Sequence, residues 1–201
     1  MSRTTVVPGP TARERVMTTA YGLFSRRGVR AVGVDTIIAD AGVAKMTFYR
    51  HFPSKDDLVL AFLQRREQVW THEWLEAEVS RRAAAPRDRL LSIFDVFDEW
   101  FHQESFEGCS FINVLLETFE MGPVRDASVA HLANIRVFLR GLAKDAGAAH
   151  PDDLARKWHI LMKGSIVAAG EGDRLAAKRA HAVGQVLLVS ELTGKQRMGR
   201  A

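Results

Sequence analysis

A chain of 201 residues, 47% hydrophobic and 26% charged, can bury one sizeable core or one core with a small appended module, and is too apolar for wholesale disorder. Its single cysteine, Cys109, excludes an intramolecular disulfide and a thiolate metal site. No charge-free run reaches the roughly 18 apolar residues of a membrane span, and MSRTTVVPGP lacks a signal-peptide core, so a cytoplasmic protein with no membrane partner is expected. The net charge of +4 is uneven: residues 1–66 hold eleven Lys/Arg against five Asp/Glu, the remainder seventeen against nineteen. A basic end on a slightly acidic body suits contact with a polyanion.

Residues 1–10, with two prolines, a glycine and Arg3, read as a flexible arm. Thr11 and Glu14 have capping-box spacing, and Val16, Ala20, Leu23 and Phe24 form an apolar stripe that Gly28 ends. A second helix is predicted over Val34 to Ala41, with Val34, Ile37, Ile38 and Ala41 inward and Gly42 as its stop. Lys45 to Phe52 gives two further turns before Pro53 breaks the pattern. Ser54 then caps a long helix, with Asp56 and Asp57 at the positive end of its dipole and Leu58, Phe62, Val69 and Trp70 continuing the stripe to about Ser80. Segments 87–104, 110–120, 124–146, 152–169 and 174–191 are each apolar at helical spacing, separated by Gly- or Pro-containing breaks. No strand, internal repeat or low-complexity tract stands out.

Two short helices joined by a Gly-containing turn, the second bearing polar and basic groups, form the pattern in which the second helix enters the DNA major groove. On Lys45 to Phe52, Phe48 and Phe52 lie four apart and anchor the helix, leaving Lys45, Met46, Thr47, Tyr49 and Arg50 outward. Lysine or arginine can donate to guanine O6 and N7, a threonine methyl can meet a thymine methyl, and a tyrosine hydroxyl can reach phosphate. Lys55 adds an ammonium beside helix N-terminal amides, a combination that suits phosphate. His51 is either a polar helix-end residue or a titrating switch.

The span from about Arg13 to Leu63, most closely GVDTIIADAGVAKMTFYRHFPSKDDL, resembles the DNA-binding domain of the tetracycline-repressor (TetR/AcrR) family. The resemblance implies base or groove contacts from Lys45, Met46 and Thr47, phosphate contacts from Tyr49 and Lys55, and a contact from His51. Where the family commonly has Ser or Thr at the start of the second helix this chain has Gly33-Val34, so that phosphate contact falls to backbone amides or Thr36, or is absent. The fold expected is all-α, about nine helices: a flexible arm over 1–10, a three-helix helix-turn-helix domain over 11–56, a helical ligand-binding and dimerisation domain over 57–193, and a flexible tail over 194–201.

Residues 90–124 contain no Lys or Arg but hold Asp95, Asp98, Glu99, Glu104, Glu107, Glu117 and Glu120 among seven phenylalanines and tryptophans. Carboxylates and aromatic faces without competing cations would suit a lipophilic cation; core aromatics beside a solvated acidic face are the simpler explanation. An apolar pocket is implied mainly by the resemblance, with Trp74, Phe97, Phe101, Phe111 and Trp158 as lining candidates. Cys109, just before a helix, is either a redox-sensitive thiol or a small buried hydrophobe. Ile160, Leu161, Gly164, Val167 and Ala168, and then Ala176, Ala180, Val183, Gly184, Leu187 and Leu188, give the last two helices small apolar faces that either close the core or, as in the family, pair with a second copy over a palindromic operator.

For an enzyme the chain offers no GxxxxGK, GxSxG or GxGxxG, and His72-Glu73 lacks the second histidine of HExxH. No catalytic residue, metal site or cofactor is therefore expected. The function expected is sequence-specific regulation of transcription by a homodimer, a repressor released by a small effector, either apolar or a lipophilic cation. The alternatives are a sequence-nonspecific architectural DNA binder, which strong salt sensitivity would reveal, and an all-helical enzyme.

Overall fold

The computed structural model describes residues 9–119 and 121–198; Arg3, Glu120 and the end of the expected tail lie outside them. Every regular element among the described residues is helical, and none is long and apolar enough to cross a membrane. Among the described residues nine helices follow one another when the long fourth helix is taken as one: α1 (Ala12–Arg27), α2 (Val34–Ala41), α3 (Lys45–His51), α4 (55–82), α5 (Pro86–Phe101), α6 (Ser110–Glu117), α7 (Pro123–Asp145), α8 (Pro151–Gly170) and α9 (Ala176–Met198).

Local chemistry sets the first boundaries. The Thr11 backbone N–H donates to Glu14 Oε2 (2.7 Å) and the Glu14 N–H to Thr11 Oγ1 (3.2 Å), a reciprocal cap for α1. Ser54 and Asp57 do the same for α4, at 3.0 and 3.1 Å. Gly42 ends α2 in the left-handed region (φ 61°), where glycine carries no Cβ penalty.

The long helix departs from the expected stripe. α4 is α-helical over Lys55–Arg66 and Ala77–Arg82 but π-helical over Glu67–Glu76. The wider turn places Trp70 and Leu75, five apart, on the buried side and leaves Val69 exposed, contrary to the 3.6-residue expectation. Side chains from α7 hold this stretch: Glu67 pairs with His131 and accepts from Asn134 Nδ2 (2.7 Å). The later helices begin and end within a few residues of expectation, except that α9 runs to Met198, past the expected end at 191.

One hydrophobic core runs from Val16 on α1 to Leu188 on α9. Phe62 packs α4 onto α1, meeting Phe24 and Tyr21 edge-on at 5.4 and 5.5 Å. In the C-terminal half, Phe94 of α5 packs on Trp158 of α8 at 5.4 Å. Ala176, Ala180, Gly184 and Leu188 turn one stripe of α9 inward. At Gly184 a Cβ would stand 2.8 Å from the Trp158 ring, so only glycine lets α9 approach so closely.

Candidate nucleic-acid interface

The helix-turn-helix is built on two aromatic anchors. Phe48 and Phe52 are buried, their rings 6.0 Å apart, while the Arg13 guanidinium lies 5.4 Å from the Phe52 ring centroid. Arg15 Nε of α1 donates to the Ala41 carbonyl (3.3 Å), tying the end of α2 to the same scaffold. With that face committed to the core, α3 turns its other face outward. Met46 is 83% and Tyr49 40% exposed; Lys45 and Arg50 are exposed and Thr47 half-buried. The Tyr49 ring packs edge-on against Phe48 at 5.2 Å, which fixes its direction.

The flanking candidates have distinct settings. Lys45 Nζ stands 3.6 Å from Asp35 of α2, an exposed pair that a phosphate or base could replace at little cost. Thr36 is exposed in the first turn of α2, whose start at Gly33 has no side-chain cap, so its first amides are open to an anion. At the start of α4, the Ser54–Asp57 cap already uses two backbone donors. Lys55 there is half-buried; burial pulls its pKa below the ordinary lysine value, partly offset by Glu117 and Asp56. His51 is half-buried at the C-terminal end of α3.

A connection that sequence patterns did not suggest reaches this module from α6. Glu117 Oε2 accepts from the Arg30 N–H at 2.8 Å, and the carboxylate sits against Gly28, where a Cβ would stand 2.2 Å from Oε1. The two partners are 87 residues apart, and no local spacing signals such a pairing.

The five pocket candidates are not gathered around one cavity. Phe97, Phe111 and Trp158 are core residues, with Phe111 stacked near His131 at 5.2 Å and Phe101 half-buried against Phe97 at 5.4 Å. Trp74 alone of the five borders an open cavity among those described, in company with Trp70 and Trp100. The cation-free stretch also ceases to be cation-free in space. Arg82 Nη1 donates to Glu99 Oε1 (2.8 Å) and Lys178 Nζ lies 4.0 Å from Asp98, because α4 and α9 pack on both sides of α5. Cys109 is buried, and burial pushes its thiol up against the opposing pull of the Ile112 and Phe111 amides. It is the small hydrophobe of the two sequence readings, and a disulfide-exchange reagent at pH 8 should label it only as fast as the protein opens, at least tenfold slower than in denaturant.

An exposed polar and basic helix, anchored by two aromatics and joined to its predecessor by a Gly turn, gives the N-terminal region the geometry of a helix-turn-helix. Residues 16–62 match the model for bacterial regulatory proteins of the tetR family. Over 99 residues it is 32% identical to the HTH-type transcriptional activator FasR of Mycolicibacterium smegmatis, covering 49% of this chain and 44% of that protein. Over 110 residues it is 24% identical to the HTH-type transcriptional repressor NemR of Escherichia coli, covering 54% and 55%. The chain thus spans about half the length of the curated relatives it matches. Among solved structures, a TetR-type transcriptional regulator of Streptomyces avermitilis superposes with a TM-score of 0.81 at 29% identity, covering 90% of this chain and 98% of that one. A TetR-family regulator of Streptomyces coelicolor gives 0.79 at 26% identity, covering 90% and 95%.

Proposed function

We propose that this chain is a homodimeric transcriptional regulator that docks α3 into the major groove of a palindromic operator, and that it acts as a repressor which a small, mainly apolar molecule releases. The observation that carries the reading is the division between a buried Phe48–Phe52 face and an exposed face of Lys45, Met46, Tyr49 and Arg50, with Thr47 half-buried at its edge. Lys45, Met46 and Thr47 then meet base edges, and Tyr49 and Lys55 meet phosphates, with Arg50, His51 and Thr36 at the margins. Residues 11–56 are the DNA-binding part and 57–193 the sensing and dimerising part. A bound regulator obstructs transcription from the operator without further parts, which favours repression. The pairing of Asp98 and Glu99 with Lys178 and Arg82 argues against a simple cation as the effector.

Replacing Lys55 with Ala should weaken operator binding about tenfold and reduce the dependence of log affinity on log salt by about one. Tyr49→Phe, which keeps the ring against Phe48 and removes only the hydroxyl, should cost about threefold to tenfold. Fluorescence anisotropy at several salt concentrations measures both, and unchanged affinity and slope would contradict this docking.

Dimerisation is assigned to α8 and α9. Their inward stripes close the core, but Ile160 (67% exposed), Gly164 and Val167 on α8, and Val183 (49% exposed) and Val186 on α9, form a second, outward apolar face. The single small-residue surface expected of α9 is therefore divided into a buried stripe and an adjoining exposed one. Val183→Arg should convert a sedimenting dimer to monomer with little change in helix content, and should lower operator affinity at least tenfold by removing the second half-site. A variant that remains dimeric would place the interface elsewhere.

A further inference from the structure

We propose that the cavity of about 370 Å³ between α1, α4 and α5 is a binding site for a planar aromatic molecule carrying an anionic group at one end and a hydrogen-bond donor at the other. The assignment rests on the ligand-responsive reading above and gives that ligand a place and a chemistry.

The walls of the cavity supply the aromatic part. Trp70, Trp74 and Trp100, three of the chain's four tryptophans, meet one another with centroids 5.3 to 5.8 Å apart, and Tyr21 of α1 adds a fourth ring. A volume of this size suits a two- or three-ring ligand. Among the described residues two cavities are larger, one of about 480 Å³ beside Arg13, Glu14, Gln64 and Gln68 and one of about 410 Å³ beside Cys109 and Ile166, and neither has an indole to stack on.

The polar part follows from two opposite charges that border the same space without pairing. Arg66 Nη1 donates to Tyr21 Oη at 3.0 Å, but its guanidinium has no carboxylate partner among the described residues. Glu107, half-buried on the loop after α5, has no hydrogen-bond or ion-pair partner among them either. A purely apolar ligand would cover both charges unpaired, and a simple cation would face the guanidinium. An amphoteric aromatic satisfies both, stacking on the indoles with its anionic group toward Arg66 and its donor toward Glu107.

The position also supplies a route to DNA. The ligand would touch Tyr21 on α1 of the helix-turn-helix and Trp100 on α5 of the C-terminal domain. Its affinity then depends on the angle between the two parts, and by linkage its binding biases that angle.

The test is a titration of the full chain with 6-amino-2-naphthoic acid, followed by tryptophan fluorescence, beside 2-naphthoic acid, which lacks the donor. The fluorescence reports mainly on the cavity, because only Trp158, packed on Phe94, lies outside it. Saturable quenching is expected, at least tenfold tighter for the amino acid than for the plain acid. Glu107→Ala should remove that preference while leaving the plain acid unaffected, and Trp74→Ala, at a half-buried position, should weaken both probes about tenfold. No saturable quenching up to the solubility limit, equal binding of the two probes, or an unaltered preference in Glu107→Ala would each overturn the assignment. Operator anisotropy with the probe present separates the two readings: cavity binding without operator release would leave the site standing and overturn ligand-controlled release.

Discussion

Phe48→Ala is expected to destabilise the chain by about 3 to 5 kcal/mol and to abolish operator binding. The ring is fully buried and touches both Phe52 and Tyr49, so its loss leaves a cavity and also frees the side chain that faces outward beside it. α3 has only seven residues, too few to hold a helix by its own hydrogen bonds, so packing keeps it formed. Chemical denaturation followed by circular dichroism measures the loss, and the helix signal of α5 to α9 should persist while anisotropy shows no operator complex. Wild-type affinity in this variant would mean that α3 is not held for DNA by its aromatic face.

Gly28→Ala is expected to cost about 2 kcal/mol or more, from two sources. The residue has φ 77° and ψ 163°, a region essentially reserved for glycine that costs an L side chain roughly 1–3 kcal/mol, and its new Cβ would displace the Glu117 carboxylate from the Arg30 N–H. For a chain of this size each kcal/mol lowers Tm by about 2–4 °C. The contact can be separated from the strain. Glu117→Ala removes the acceptor alone and should cost about 1 kcal/mol, Glu117→Gln keeps a carbonyl there and should cost less, and the double variant Gly28→Ala, Glu117→Ala should be less destabilised than the sum, since the clash is then gone. Additive losses would show that Glu117 does not engage the α1–α2 turn in solution.

That contact also separates what the sequence discloses from what it conceals. The caps at Thr11 and Ser54, the stop at Gly42 and the outward row on α3 are local: each depends on residues within about four positions, and each is present as expected. The concealed features depend on distant partners. Glu117 reads as one acid in a cation-poor stretch until the fold carries it to Arg30, and Asp98 and Glu99 read as free until Lys178 and Arg82 arrive from neighbouring helices. The same limit explains the pocket candidates. Helical spacing identifies aromatic residues but does not tell which rings border open space, so Phe97, Phe111 and Trp158 lie wholly in the core while Trp70 and Trp100, themselves largely buried, edge the cavity with Trp74. The π-helical stretch departs from the periodic reading at Val69, which the changed hydrogen-bond register turns outward, while Trp70 is buried as expected. On α9 the stripe Ala176, Ala180, Gly184, Leu188 is legible as small and apolar, but only the packing of Gly184 under Trp158 assigns it to the core and leaves Val183 and Val186 outward.

The most direct test of the central claim is fluorescence anisotropy of the purified chain on a labelled duplex from the intergenic DNA beside its own gene, against a scrambled duplex of equal length, at 50 and 200 mM salt. Sequence-specific docking of α3 predicts at least a hundredfold preference for the native duplex that survives the higher salt. Equal binding to both duplexes, falling together as salt rises, would contradict it and leave only a basic surface.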